Sequence, residues 1–171
     1  MVGMAVKIPE GISLEVKDGK LAVKGTNGSL ERAFNARVVD VKIENGEVSI
    51  VLKGRLTRKK QAITKTVEAH LKNMFEGLTK KFEKKLQLVY SHFPVTVEVK
   101  GKDVSIKNFL GEKTPRKAKV IGEAKVEVKG QDIVVSGIDV ESVGQTASNI
   151  RRATRITKRD ERVFQDGIYY A

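Results

Sequence analysis

"EVKDGKLAVKG", residues 15–25, and "EVKGKDVSIKN", residues 98–108, are two versions of one pattern. Each alternates apolar and polar residues, turns at a glycine flanked by charged residues, and alternates again, which is typical of a β-hairpin. A second pair follows the same rule in "VKIENGEVSIVLKG", residues 41–54, and "VEVKGQDIVVSGID", residues 126–139, with Asn45-Gly46 as the clearest turn signal. The four stretches predict two pairs of antiparallel hairpins.

The hairpins recur at a nearly constant distance along the chain. Leu21 corresponds to Val104, an offset of 83 residues (104 − 21), and Val48 corresponds to Ile133, an offset of 85 residues (133 − 48). Hairpin, spacer and hairpin therefore occur twice, and a period of this kind indicates internal duplication. We predict that the two halves share the same strand order, with these positions equivalent.

Each second hairpin leads into a pattern of helical period. In the first half, five apolar residues recur at steps of three and four: Ile63, Val67, Leu71, Met74 and Leu78. The corresponding stripe of the second half consists of Val143, Ala147, Ile150 and Ala153. Each stripe predicts the apolar face of one helix, and Gly77 fits the position just past the end of the first.

The segment between the halves changes period. From Phe82 to Tyr90 the residues alternate in the manner of a strand, which we interpret as a link between the halves, with a helix continued through Phe82 as the alternative. Pro94 disfavours helix at Phe93 and marks the junction near residues 91–94. We predict an α+β fold of two tandem similar domains, residues 1–82 and 83–171, each an antiparallel β-sheet packed against one α-helix.

The composition restricts the function. A chain of 171 residues that is 40% hydrophobic can bury a core, while Lys+Arg 33 against Asp+Glu 21 gives a formal net charge of +12. Such an excess is not needed for folding and favours a polyanionic partner, with nucleic acid well ahead of a membrane surface. The absence of cysteine, of a secretory signal and of a long apolar run leads us to expect an intracellular protein without membrane association.

Candidate catalytic groups are few. The only histidines are His70 and His92, and with Cys 0 we expect no metal site and no cofactor. The sequence has no phosphate-binding loop, dinucleotide fingerprint or nucleophile elbow. We interpret His70 as packed and His92 as a surface residue whose replacement should have little effect, and we expect no enzymatic activity.

Positive charge is concentrated in three clusters. The first opens the first helix: Arg55, Arg58, Lys59, Lys60 and Lys65. A solvated helix face explains that cluster equally well, since helix starts do not favour cations. The second lies in "GEKTPRKAKV", residues 111–120, where Gly111 and Pro115 predict a loop that presents Lys113, Arg116 and Lys117.

The third cluster is the strongest candidate for nucleic-acid binding. It consists of Arg151, Arg152, Arg155, Lys158, Arg159 and Arg162. An aromatic ending with Phe164, Tyr169 and Tyr170 follows the charges. Arginine can bind phosphate with two hydrogen bonds and stack on bases, so charge and aromatic residues together suit RNA.

The same stretch, "SVGQTASNIRRATRITKRDERVFQDGIYY" at residues 142–170, resembles the C-terminal signature of the ribosomal protein L-six family in its archaeal and eukaryotic form. The positions that carry the resemblance are Gln145-Thr146-Ala147, Asn149-Ile150, Ala153-Thr154, Arg162-Val163-Phe164 and Asp166-Gly167-Ile168-Tyr169. Residues 8–32 and 58–82 also match the family pattern, so the resemblance covers nearly the whole chain. The glycine- and lysine-rich ending of the bacterial form is absent.

The resemblance implies a structural constituent of the large ribosomal subunit in the cytoplasm. It implies binding to large-subunit rRNA near the stalk base and the sarcin–ricin loop, beside neighbouring ribosomal proteins and the site where translational GTPases dock. It implies that the third cluster contacts rRNA, with Tyr169 packed or stacked and the tail ordered by the RNA. Charge alone extends the site to Lys113, Arg116 and Lys117. Two alternatives stay open: a free basic nucleic-acid-binding module, and an RNA-modifying enzyme, which the missing catalytic motifs disfavour.

Overall fold

A computed structural model describes residues 3–17, 19–44, 46–55, 57–90, 92–157, 159–160 and 162–171. The chain divides into two compact units, Met1–Lys81 and Phe82–Ala171. No helix among the described residues is long and apolar enough to cross a membrane. Asn45 of the Asn45-Gly46 turn signal lies outside these ranges, and so do Ser91 and Lys158.

The described residues of the first unit form six strands and one helix. They are β1 Gly3–Lys7, β2 Ser13–Lys17, β3 Lys20–Gly25, β4 Gly28–Ala33, β5 Val39–Glu44, β6 Glu47–Leu52 and α1 Arg58–Thr79. The strands form two antiparallel sheets, in the orders β1-β6-β5 and β2-β3-β4. Buried α1 side chains, among them Leu71 and Leu78, continue the core that the strands begin with Leu21 and Ile50.

The second unit repeats this arrangement and adds a strand. Its elements are β7 Phe82–Val89, β8 Thr96–Lys100, β9 Asp103–Lys107, a 3₁₀ turn Phe109–Gly111, β10 Arg116–Lys119, β11 Lys125–Lys129, β12 Asp132–Gly137, α2 Val140–Ala153 and β13 Gly167–Tyr170. The strands again form two antiparallel sheets, in the orders β10-β9-β8 and β11-β12-β7-β13.

The predicted duplication is confirmed at the level of strand order. The strand order β1-β6-β5 in the first unit recurs as β7-β12-β11 in the second. Val48 pairs with Val6, and its predicted equivalent Ile133 pairs with Leu86. The predicted α+β class is confirmed as well. Within the described residues each unit nevertheless has two sheets instead of the one expected, because the strand that precedes the first hairpin, β1 or β7, pairs with the second hairpin and not with the first.

Helix α2 begins and packs as its sequence predicts. The Asp139 carboxylate accepts hydrogen bonds from the backbone N–H groups of Glu141 and Ser142, which satisfies donors that an isolated helix start leaves free. The apolar stripe through Ala147 and Ile150 is fully buried against the sheets. Burial of a side chain the size of isoleucine contributes about 1.5–3 kcal/mol, so this face fixes the helix in the unit.

The predicted end of α1 at Gly77 is wrong. The helix continues to Thr79 and buries Gly77 within its last turn. The side-chain amide of Asn27 donates a hydrogen bond of 2.7 Å to the carbonyl of Leu78, and so satisfies one of the acceptors left free at the helix end. A tertiary contact therefore takes the place of the expected glycine cap.

The strand predicted over 82–90 is confirmed, but its interpretation as a link is wrong. Strand β7 lies inside the second unit's four-stranded sheet, between β12 and β13. Leu86 and Leu88 are buried in that unit's core, so the strand is part of the second unit's packing. The physical reason is pairing on both edges, which satisfies the backbone groups of β7.

Two glycines of the second unit should respond in opposite ways to alanine. A Cβ at Gly137 would lie 2.9 Å from Cγ2 of Val143, so Gly137→Ala should destabilise the fold by about 1–3 kcal/mol. Gly144 lies inside α2 with open space where a Cβ would go, so Gly144→Ala should stabilise the fold by about 0.5–1 kcal/mol. Urea unfolding of both variants measures the difference. Equal effects of the two changes would contradict the packing described.

Candidate nucleic-acid interface

The C-terminal end of α2 presents two exposed arginines. Arg151 and Arg152 occupy the last turn, where the negative end of the helix dipole favours cations. Thr154 follows as the cap, and its backbone N–H donates to the carbonyls of both arginines. The guanidinium of Arg151 lies 5.5 Å from the ring centre of Tyr170 on β13. The helix end and the last strand thus form one surface.

One buried hydroxyl joins these two elements. The Oγ1 of Thr154 donates to the carbonyl of Arg151 and accepts the backbone N–H of Ile168, each over 3.0 Å. Ile168 in turn lies opposite Leu88 of β7. The sequence leads us to expect that RNA orders the tail. For Gly167–Tyr170 this is wrong, because the strand is held by the sheet and by the helix cap of its own chain.

The segment between α2 and β13 carries a stack of charged and aromatic groups. The guanidinium of Arg159 lies 4.8 Å from the ring centre of Phe164, and the other partner of that ring is His92, also at 4.8 Å. His92 Nδ1 lies 3.0 Å from Oδ1 of the buried Asp166. His92 therefore anchors the segment, and the interpretation of it as an inconsequential surface residue understates its role.

Arg116 is bound to its own chain. Its Nε and Nη2 donate to the two carboxylate oxygens of Glu112 over 2.9 and 2.6 Å. Its Nη1 donates to the carbonyls of Ala153, the last residue of α2, and of Arg155, both at 3.0 Å. Residues 112–115 form the predicted loop, but Arg116 begins strand β10. Four hydrogen bonds that its guanidinium could donate to phosphate go to the protein instead.

The Glu112–Arg116 pair changes the acidity of both groups. The hydrogen bond from Arg116 is the main cause that lowers the pKa of the Glu112 carboxyl, and the nearby charge of Arg159 acts in the same direction. The same hydrogen bond raises the pKa of Arg116. Because Arg116 also reaches carbonyls at the end of α2, it joins the second basic cluster to the described part of the third.

A cavity of about 590 Å³ opens on this surface. Its walls come from the end of α2, from the segment that follows, and from β13; they are Ser148, Arg151, Arg152, Thr154, Arg155, Ile156, Phe164, Asp166, Gly167, Ile168 and Tyr169. The hydroxyl of Tyr169 donates to the carbonyl of Gln165 over 3.1 Å, which holds the ring over Gly167. Arginine, aromatic and backbone groups thus converge at one recess.

The other predicted site residues differ in whether their side chains bind other groups of the chain. Among the described parts of the chain, Arg151, Arg152, Arg155 and Arg162 are exposed and have no side-chain hydrogen bond or ion pair. Lys113 and Lys117 are exposed beside Arg116. Lys158 lies outside the described residues. The first cluster belongs to the other unit, where Lys60 donates to the carbonyl of Lys53.

Sequence reasoning missed Lys84. Its Nζ lies 5.1 Å from the centre of the Tyr170 ring, so β7 adds a cation to the surface that β13 and α2 share. The signal that could have found it is the strand alternation itself, which places Lys84 on the same face as Leu86 and Leu88 but nearer the start of the strand.

The described residues give no indication of a metal centre. No group of three or more His, Asp or Glu side chains within those ranges could hold an ion. His70 is half-buried on α1, and His92 is engaged with Asp166. The arrangement in the second unit can bind anionic and flat ligands through arginine and tyrosine.

Comparison with known proteins gives a consistent result. The family model described as "Ribosomal protein L6" matches residues 8–81 and 93–167, one match in each unit. Large ribosomal subunit protein uL6 of Methanosarcina mazei is 46% identical over 169 residues, which cover 98% of this chain and 95% of that protein. The uL6 proteins of Staphylothermus marinus and Ignicoccus hospitalis are 48% and 45% identical, each over 96% of this chain and 90% of the relative.

Proposed function

The chain belongs to the ribosomal protein L6 family, and from this membership we propose that it is a structural constituent of the large ribosomal subunit that binds large-subunit rRNA through its second unit. The relatives' name places them in that subunit. The role is architectural and belongs to translation in the cytoplasm. It requires no catalytic group, cofactor or metal.

The proposed rRNA contact is supported by the set of exposed arginines around the cavity. Arg151, Arg152 and Arg155 project from the end of α2 and the residues after it, and no described carboxylate pairs with them. Unpaired guanidinium groups on a fixed scaffold suit phosphate oxygens, which accept two hydrogen bonds from one arginine. Arg159 and Arg162 extend the charge along the segment. Lys113, Lys117 and Lys158 are the lysines that we assign to the same interface.

The wider environment follows from the family resemblance. We place the interface near the stalk base and the sarcin–ricin loop, with neighbouring large-subunit proteins as partners and translational GTPases close by. Arg116 is the exception among the assigned residues. Since its donors are bound to Glu112 and to two carbonyls, we assign it the task of holding β10 against the end of α2.

A salt series tests the phosphate contacts. Arg151→Gln and Arg155→Gln should each weaken binding to large-subunit rRNA and reduce the slope of log affinity against log salt by about 0.7–0.9, since each neutralised phosphate releases a counterion. Affinity at five or more salt concentrations, with wild type in parallel, measures the slope.

Lys125→Gln is the matched control. It removes one positive charge from β11, the edge of the four-stranded sheet opposite β13. Its slope should remain that of the wild type. Unchanged slopes in both arginine variants, or an equal change in Lys125→Gln, would contradict this assignment. Co-sedimentation with large subunits through high salt separates a ribosomal constituent from a free basic module, which would be released.

A further inference from the structure

The cavity beside β13 has the size of a ligand site. Its volume of about 590 Å³ lies within the range of roughly 300–1,000 Å³ typical of small-molecule sites. Phosphate contacts along an RNA backbone need only an exposed cationic surface, and a recess of this size has room for a further group of the ligand. Its lining includes the apolar residues Ile156 and Ile168, both buried.

Tyr169 is the aromatic wall that remains accessible. Its side chain lies on β13 with 45% of the residue exposed, and its hydroxyl is bound to the carbonyl of Gln165. A Cβ at Gly167 would lie 3.1 Å from three atoms of this side chain, so the tyrosine packs directly on the glycine backbone. The ring is therefore fixed in place before any ligand arrives.

Phe164 differs from Tyr169 in this respect. Its ring stacks on His92 and also lies under the guanidinium of Arg159, so its aromatic surface is already engaged within the chain. Among the aromatic residues that line the cavity, Tyr169 is thus the ring available for stacking.

The charge of the cavity suits a nucleotide. Arg151, Arg152 and Arg155 lie at its wall, and its one carboxylate, Asp166, is 1% exposed and bound to His92. An aromatic ring and guanidinium groups in one cavity match the base and the phosphate of a nucleotide. Proteins that read single-stranded RNA stack unpaired bases on aromatic side chains in the same manner.

We propose that this cavity takes up one unpaired nucleotide of the bound RNA, with the base against Tyr169 and its phosphate on the arginines at the wall. The inference rests on the proposed function, because it states which form of RNA the same interface accepts. Base-paired RNA alone cannot fill the recess, since its bases are stacked inside the helix.

The test compares three RNA hairpins with one stem sequence. The first has a single-nucleotide bulge, the second has an abasic residue at the bulge, and the third is fully paired. Binding at fixed salt should be about 5- to 150-fold tighter for the bulged hairpin than for the other two, which is the range of one stacked base. Tyr169→Ala should remove this preference, and Tyr169→Phe should keep it. Thermal unfolding of both variants verifies that the unit remains folded.

The outcome separates this inference from the function on which it rests. Equal affinity of wild type for all three hairpins would overturn the nucleotide pocket, as would a preference that persists in Tyr169→Ala. If Arg155→Gln still reduces the salt slope in that case, phosphate binding stands without the pocket. Two results together support both the nucleotide pocket and the phosphate contacts. Tyr169→Ala removes the preference while Tyr169→Phe keeps it, and Arg155→Gln weakens binding to all three hairpins equally.

Discussion

Replacement of Ile150 by alanine should lower the free energy of unfolding of the second unit by about 2–5 kcal/mol. Ile150 is 0% exposed and packs in the cluster that α2 shares with both sheets. The shorter side chain loses apolar burial and leaves a cavity that the surrounding strands fill only in part. Urea unfolding followed by circular dichroism measures the change.

Val140→Ala is the control for this prediction. Val140 is the first residue of the same helix and is 37% exposed, so its truncation should change stability by no more than about 0.5 kcal/mol. A loss below about 1 kcal/mol for Ile150→Ala would contradict the packing of α2. Since Arg151 follows Ile150 directly, rRNA affinity should decline at temperatures where the destabilised unit begins to unfold.

Arg116→Ala and Lys117→Ala should separate stability from RNA binding at two adjacent positions of one strand. Arg116→Ala should cost about 2–4 kcal/mol of stability, because charged hydrogen bonds contribute about 1.5–3 kcal/mol and the stacking of Arg116 on Phe109, at 4.5 Å, about 0.5–1 kcal/mol. Lys117 is exposed, so its replacement should leave stability within about 0.5 kcal/mol and reduce the salt slope of rRNA binding. Thermal unfolding and a salt series on both variants provide the comparison.

Equal stability of the two variants would show that Arg116 does not hold β10 to the end of α2. A pH titration provides an independent measurement on the same pair. The pKa of Glu112 is lower in the folded chain than its ordinary value of 4.5, so the pair's contribution is complete above that value. It is lost as the pH falls through the lower, folded pKa. Arg116→Ala should remove this part of the acid sensitivity.

The hairpins and helices were predictable because their patterns are local. The turn at Gly101 between alternating residues, and the stripe through Ala147 and Ile150, follow from period alone. The end of α1 was not, since the amide that caps it belongs to Asn27, far away in the sequence. The grouping of strands into two sheets per unit also depends on long-range pairing, as between Val6 and Val48.

The candidate site shows the same limit at the level of single residues. Arg116 and Lys117 are adjacent and equally charged, and the sequence does not distinguish the one that binds its own chain from the one that is exposed. The difference arises from where β10 packs, which brings Arg116 to the carbonyls of Ala153 and Arg155. Likewise, the role of His92 depends on Asp166, 74 positions later in the chain.

The pairing of β13 with β7 has a consequence for the kinetics of folding. Leu88 and Ile168 meet across 80 residues (168 − 88), whereas β11 and β12 meet across a short turn. Closing a long loop costs entropy before its contacts form, so the local hairpins should form early and β13 should dock last. Strand β13 lies at an edge of the four-stranded sheet, where β7 is its one partner among the described strands. Its amide hydrogens should exchange with solvent sooner than those of β12, and the arginine-rich segment would open and close with it as one cooperative unit.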